Sequence, residues 1–296
     1  VAIAGATGFV GRPLVEELAQ EYEVVALGRR APSGDVSTGD VGVVWRRCDL
    51  FSLRECEEAL QGVETAFYLV HSMMPSARLT QASFQDLDLL LADNFARAAA
   101  AAGVRRIIYL GGLVPTEDVG PLSEHLQSRV EVEKALAAEG VPVTAVRAGL
   151  IVGPGGSSLL MLVRLVERLP LMLVPKWTLT KTQPIALDDV VAILVRCLSD
   201  PETIGRVCEV GGPDVLTYRE MMGETARVLH RRRLMLPVPF FSPGFSRLWV
   251  SLFTGTPRAL VSPLIESLRH PMLAEDRWLQ ERMGRPGQPF REALSQ

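Results

Sequence analysis

The feature that most constrains this chain is an alternation. Short apolar runs at residues 1–4, 24–27, 43–45, 66–70, 107–110 and 143–146 take turns with segments at 13–19, 52–60, about 79–102 and about 123–139 that carry apolar residues at helical spacing. A run of four or five apolar residues is too short for a helix and suits a strand buried on both faces. Gly62, Gly103 and Gly140 stand where helical segments would stop, because glycine takes the left-handed conformation that ends a helix without strain. Strand and helix in repetition specify an α/β architecture, a doubly wound parallel sheet with helices on both faces and its ligand site at the carboxyl ends of the strands. After Gly149 the rhythm gives way to glycine- and proline-rich loops. The expected organisation is therefore a sheet domain over residues 1–150 and a smaller, partly helical substrate region over 151–296, with about 185–200 returning to the sheet.

The first strand runs straight into "GATGFVG", in which Gly5, Gly8 and Gly11 form a GxxGxxG turn before Pro13. Proline's fixed φ suits the first turn of a helix. Glycines here allow a tight turn and a close approach of backbone to a pyrophosphate, whose charge the helix N-terminus favours. The turn predicts a Rossmann-type dinucleotide grip in which Gly5, Thr7, Gly8, Phe9, Val10 and Gly11 contact the cofactor. Where an NAD enzyme would offer a carboxylate to the ribose 2′-hydroxyl, the second strand ends on Gly28, Arg29 and Arg30. Two guanidiniums at that place favour a 2′-phosphate, so the expected cofactor is NADP, with NADPH preferred over NADH.

Charge and composition remove other classes. A formal net charge of −3 supplies no long-range pull toward nucleic acid or anionic lipid, and a small-molecule substrate is the expected partner. Cys48, Cys56, Cys197 and Cys208 show no CxxC pairing and lie apart in sequence from His71, His125, His230 and His270, so neither a zinc site nor a disulfide framework is expected. The apolar stretch 159–174 is cut by Arg164, Glu167, Arg168 and Pro170 and falls short of the length a membrane span needs. The stretch "LPVPFFSPGFSRLWVSLFTGTPRALVSPLIESL" is expected to form a helical lid over a pocket, with peripheral contact to a membrane surface as the alternative. The chain starts inside an apolar run with no initiator methionine and no basic leader, which implies a missing residue or more at its start and a cytoplasmic protein.

Several stretches together carry a resemblance: "AGATGFVG", "CDL" after the third strand, "YLVHSM" after the fourth, "RRIIYLGG", "VTAVRAGLIVGPG", "TQPIALDDV" and "EVGGPDVLTYREM". In this order the chain resembles the atypical short-chain dehydrogenase/reductase superfamily, and within it the NmrA-like, triphenylmethane-reductase-like branch. The likeness runs from Val1 to about Met222. It implies that Asp49 and Leu50 touch the adenine, that Leu69, Val70, His71 and Ser72 line the cofactor ribose, and that the loop from Gly149 lies beside the nicotinamide. Asp188 and Asp189, before an apolar helical run, read as helix caps rather than catalytic acids.

The departure from that family lies in its catalytic set. Related reductases use a Tyr and a Lys four residues apart on one helix face, with a hydroxyl residue after the fifth strand. Aligning "HLQSRVEVEKAL" on that pattern puts His125 at the Tyr position and Arg129 at the Lys position, and Gly111 and Gly112 where the hydroxyl would be. Arg129 retains donors for ribose hydroxyls but does not shuttle a proton; with three lysines against 28 arginines in the chain, the exchange also reflects composition. His125 is a candidate general acid, given the ordinary imidazole pKa of about 6.5 that a nearby guanidinium would lower, with plain helix surface as the alternative, and His71, Ser72, Ser123 and Tyr109 are further proton-handling candidates. Trp177, Trp249 and Phe253, near Met73 and Met74, are expected to line an apolar substrate cavity. The readings that follow are an NADPH-dependent oxidoreductase with a nonstandard proton donor or, alternatively, a cofactor-binding sensor or assembly scaffold without turnover, with isomerase-type chemistry third. The sequence sets no oligomeric state.

Overall fold

The structure is a computed structural model that describes residues 1–29, 42–71, 84–115, 122–238 and 266–296. From the N-terminus the chain forms β1 (Ala2–Ala4), α1 (Gly11–Leu18), β2 (Val24–Gly28), β3 (Val43–Arg47), α2 (Leu53–Ala59), β4 (Thr65–Tyr68), α3 (Phe84–Ala101), β5 (Arg106–Gly112), α4 (Glu124–Ala137) and β6 (Val143–Ala148). It continues with β7 (Ile151–Val152), α5 (Ser157–Arg168), β8 (Leu171–Val174), β9 (Lys181–Thr182), β10 (Ile185–Ala186), α6 (Leu187–Ser199) and β11 (Val207–Val210). The last elements are β12 (Leu216–Thr217), α7 (Tyr218–Val228), β13 (Leu234–Pro237), α8 (Trp278–Met283) and α9 (Phe290–Ala293). Two compact units are built from these: unit 1 from Val1–Gly112, Ser128–Arg147 and Val190–Cys208, unit 2 from Leu113–Gln127, Ala148–Asp189 and Glu209–Gln296.

Unit 1 is organised on a seven-stranded sheet in the order β11-β6-β5-β4-β1-β2-β3. β1 pairs parallel with both β2 and β4, β2 with β3, and β4 with β5. All three residues of β1 are buried, as a central parallel strand with both faces covered must be. Tyr68 and Tyr109 from neighbouring strands meet the small face of α3, where Ala92, Phe95, Ala98 and Ala99 are fully buried; alanines at helical spacing let that helix lie close to the sheet. Ser52 caps α2 by accepting from the Glu55 amide at 3.2 Å. The fourth strand ends at Tyr68 rather than Val70, although the Leu69 amide still donates to the Ala4 carbonyl at 3.0 Å. Residues 79–83 of the expected third helix lie outside the described residues.

The second half of α6 and the start of β11 belong to the sheet unit. Val190, Ile193, Leu194 and Cys197 are buried, Arg106 donates through Nη2 to the Leu198 carbonyl at 2.7 Å, and the Thr144 hydroxyl donates to the Thr203 carbonyl at 2.7 Å. The four cysteines form no disulfide and are buried, and they meet in pairs. The sulfurs of Cys48 and Cys56 are 3.8 Å apart, and contact with Cys208, reinforced by burial, pushes the Cys197 thiol up.

Unit 2 is held by short strand pairs, β7 with β10, β9 with β12 and β8 with β13, and by a core that includes Leu162, Val166, Met172, Met221 and Met222. Trp177 belongs to that core: it is 4% exposed and meets Tyr218 edge-on at 6.0 Å, so it is packing rather than cavity lining. Trp249, Phe253, Met73 and Met74 lie outside the described residues, as does most of the aromatic stretch expected to form a lid. Thr217 and Glu220 close a capping box on α7. The apolar stretch 159–174 is divided between α5 and β8, and among the described residues no helix is long and apolar enough to cross a membrane.

Candidate functional site

The glycine turn is closed by its own backbone. Gly8 donates its amide to the Gly5 carbonyl at 2.9 Å, and a Cβ on Gly11 would stand 2.1 Å from that same oxygen. Gly5 holds φ +91° with its α-carbon against Leu69, whose carbonyl carbon would be 3.1 Å from an added Cβ; both the angle and the approach need glycine. Gly8 differs, since its Cβ would meet only the Gly5 oxygen at 3.0 Å. Thr7 and Gly8 are exposed, Phe9 is half-buried, and Val10 is buried as the last residue before α1. Arg12 fixes the loop by donating through Nε to the Thr7 carbonyl at 3.0 Å. No acidic residue occupies the first turn of α1, so the partial positive charge of its N-terminus is uncompensated there.

Arg29 is exposed directly after β2, while Arg30 lies outside the described residues. After β3, Asp49 is half-buried; its Oδ1 accepts from the Phe51 amide at 3.3 Å, and its own amide donates to Glu55 at 2.9 Å. The Leu50 carbonyl accepts from Asn94 at 2.9 Å. Leu69, Val70 and His71 follow β4 as half-buried residues. Leu69 brings this loop onto the glycine turn. Ser72 lies outside the described residues.

His71 opens a polar cluster inside unit 1. Its Nδ1 is 2.8 Å from Oδ2 of Asp88 on α3, with side chains 12% and 3% exposed. Burial, and then the Arg129 guanidinium, hold the imidazole well below the usual histidine range. The contact is therefore a hydrogen bond from a neutral ring, Nδ1–H to carboxylate, rather than an ion pair, since a carboxylate can only accept. Tyr109 is 1% exposed, as a core strand residue should be, and donates its hydroxyl to the Arg129 carbonyl at 3.3 Å. Burial raises the Tyr68 and Tyr109 phenols, and Asp88 raises both further. The Nε of Arg129 is buried with no hydrogen-bond partner among the described residues, and its Nη1 reaches the Leu110 carbonyl at 3.4 Å. A Cβ on Gly111 would meet the Tyr109 ring at 2.9 Å, which is a steric reason why no hydroxyl residue stands there.

The other predicted residues fall in unit 2. His125 is half-buried in the first turn of α4, one turn before Arg129. Ser123 is buried, its hydroxyl 2.7 Å from that of Ser267. Gly149 packs against its own unit, because a Cβ there would be 2.6 Å from the Gln183 carbonyl. Asp189 does not cap its helix: its carboxylate accepts from Arg285 Nε at 2.8 Å and from the Gln288 amide at 2.7 Å. Asp188 meets Gln296 at 3.4 Å. Among the described residues no group of three or more His, Cys, Asp or Glu side chains is arranged to hold a metal.

A family described as NAD(P)H-binding matches residues 5–201, about two thirds of the chain. The chain belongs to the NAD(P)H-binding family. It is 35% identical over 112 residues to auxiliary protein GraX of Staphylococcus aureus, a match that spans 38% of this chain and 36% of that relative's length. It is 28% identical over 305 residues to a (4-alkanoyl-5-oxo-2,5-dihydrofuran-3-yl)methyl phosphate reductase of Streptomyces griseus, covering 99% of this chain and 95% of the relative. Its fold matches the Escherichia coli NADPH-dependent quinone oxidoreductase QOR2 complexed with NADPH, at 23% identity and a TM-score of 0.78 over 99% and 98% of the two chains. It also matches Citrobacter triphenylmethane reductase complexed with NADP(H), at 18% identity and a TM-score of 0.75 over 99% and 98%.

The turn fits the cofactor of this family. It presents glycine backbone and a helix start without carboxylates, beside an exposed arginine. Sequence reasoning missed Asp88, because an acidic residue on an amphipathic helix reads as solvent-facing until the fold shows it 2% exposed. The signal was its position: four apolar neighbours, Leu87, Leu89, Leu90 and Leu91, flank it.

Proposed function

We propose that this protein is an NADPH-dependent reductase of a small, apolar molecule, with the dinucleotide held by residues 1–150 and the substrate by residues 151–296. The observation that carries the reading is the exposed Thr7–Gly8 face of the glycine turn, set before a helix start free of acidic residues. Gly5, Thr7, Gly8, Phe9, Val10 and Gly11 would take the pyrophosphate, Arg29 and Arg30 the 2′-phosphate, and Asp49 and Leu50 the adenine. Leu69, Val70, His71 and Ser72 would line the ribose, and Gly149 the nicotinamide. NADPH supplies a hydride when bound, so the protein's task is to orient the partners and provide a proton. Arg129 suits a holding role, since a guanidinium keeps its proton. Two imidazoles compete for the proton step: His125, at the position of the family's tyrosine, and His71. The names of the reductase relatives support small-molecule reduction, and we place the protein in the cytoplasm.

The test is titration with NADPH and NADH beside an NADPH-oxidation screen over quinones, aromatic dyes and aldehydes. Tighter NADPH binding with oxidation by one of these classes is the expected result. One observation favours a second reading, a cofactor-binding sensor or scaffold: the tyrosine and lysine positions of α4 carry His125 and Arg129. NADPH binding without oxidation anywhere in the screen would select it.

A further inference from the structure

We propose that His71, held by Asp88, is the group that moves the proton in the reductase reaction, in place of His125; the inference rests on the reductase reading above. Three features of unit 1 carry it. First, His71 lies two residues beyond Leu69, the residue whose backbone seals the glycine turn at 3.1–3.2 Å from the position of a Gly5 Cβ. The imidazole thus follows directly on a loop that packs against the glycine turn at the carboxyl ends of β1 and β4, whereas His125 is assigned to the other unit. Second, the ring is anchored. Nδ1 meets a carboxylate only 3% exposed at 2.8 Å, which fixes the tautomer and makes Nε2 the atom that exchanges a proton. A carboxylate behind an imidazole also stabilises the imidazolium that forms when Nε2 takes a proton, as in hydrolase triads. Third, a buried carboxylate beside a neutral ring is costly to keep and adds little stability, so it calls for a role.

Among the described residues, charged and titratable groups around the ring come from four elements. Asp88 faces it from α3 and Arg129 acts on it from α4, while Tyr68 of β4 and Tyr109 of β5 lie within electrostatic reach of both. Arg129 and burial oppose the charge and Asp88 supports it. In the reductive direction the substrate gains two electrons with the hydride, and its oxygen takes the proton from Nε2. The imidazole is then neutral, and because Nε2 is buried it is recharged by water that enters as product leaves. Because burial and Arg129 hold the ring low, the protonated form is scarce near neutrality, and the rate of reduction should fall about tenfold per pH unit above the ring's pKa. Asp88 is a positioning residue, acting through His71.

The experiment combines kinetics on the full chain with NMR of imidazole-labelled protein. His71→Asn should lower kcat by roughly 10²–10⁴ with NADPH affinity moved far less, and should flatten the pH profile. Asp88→Asn keeps the shape of the side chain and serves where a larger change would unfold the protein. It should lower kcat nearly as far, and the Nδ1–H signal of a neutral His71 in the wild type should give way to the other tautomer. Unchanged kcat in both variants, or a loss wholly explained by weaker NADPH binding, overturns the proposal and leaves the reductase reading intact. So does an Asp88→Asn protein whose His71 tautomer and pH profile match the wild type. A wild type that binds NADPH but reduces no quinone, dye or aldehyde overturns both.

Discussion

Two places in this molecule are built on crowded glycines, and they serve opposite ends. At the β1–α1 turn of unit 1, a Cβ added to Gly5 or Gly11 would stand 3.1 Å or 2.1 Å from backbone, yet Thr7 and Gly8 on the outer face of the loop are exposed. In unit 2, a Cβ added to Gly149, Gly211 or Gly212 would stand 2.6, 2.6 or 2.3 Å from Gln183 or Pro184, and here the protein fills the space itself. The Gln183 side chain donates to the Gly212 carbonyl at 2.7 Å and accepts from the Ala274 amide at 3.0 Å, and it is 5% exposed. Glycine in sequence therefore marks close approach, but not of what: one cluster keeps an exposed outer face at Thr7 and Gly8, and the other is filled by a buried glutamine side chain.

Substitutions should separate the two. The largest effect is expected from Gly8→Val, which places a branched side chain on the exposed face of the turn. Titration should show NADPH and NADH binding abolished, with the melting temperature nearly unchanged because little protein crowds that position. Normal cofactor binding would reduce the turn to a purely structural one. Gln183→Ala should do the reverse. It leaves a buried carbonyl unsatisfied, at about 1–3 kcal/mol, and a half-buried amide without its partner, and each kcal/mol lowers the melting temperature by about 2–4 °C in a domain of 150–250 residues. An unchanged melting temperature would remove Gln183 as the centre of unit 2.

Arg29→Ala is smaller and sharper. Loss of a hydrogen bond to a charged group costs about 1.5–3 kcal/mol, or roughly 10- to 100-fold in NADPH affinity, with NADH barely affected. Equal loss for both cofactors would defeat the 2′-phosphate assignment. A gentler effect follows from His71 and His270, both held below the usual histidine range, first by burial and then by Arg129 and Arg269 respectively. The unfolded chain binds a proton at pH values just under 6.5 where the folded one does not, so stability is complete above that pH and declines as pH falls below it. Urea melts between pH 7 and 5 should show the decline, and His71→Gln should lessen it. Least of all, a chelator should leave NADPH oxidation unchanged; loss of activity restored by zinc would refute the assignment of a metal-free site.

Much of unit 1 was legible because local pattern and tertiary environment agree there. Buried parallel strands leave apolar runs, and the crowding at Gly11 and the positive φ at Gly5 act over a few residues, although the approach of Leu69 to Gly5 does not. What was not legible depends on contacts distant in sequence. Asp88 meets His71 across 17 positions and Gln183 meets Ala274 across 91, and no periodicity encodes either. The thiol pairs hid because Cys48 and Cys56 are brought together by the bend between β3 and α2 rather than by a helical motif. Asp189 was read as a cap because its local setting resembles one, while its partners Arg285 and Gln288 stand nearly a hundred residues on.

The interleaving of the two units carries a consequence for how the protein is made. The chain passes between them five times, and β11, an edge strand of the large sheet, arrives only at Val207, well after β6 ends at Ala148. At roughly 5–20 residues per second of synthesis, β6 waits about 3–12 s before its neighbour emerges from the ribosome. During that interval the nascent sheet has an open, apolar margin of the kind that recruits chaperones or pairs with a second unfinished copy. A ribosome-stalled chain ending before β11 should accordingly be held by chaperones, and one that includes it released.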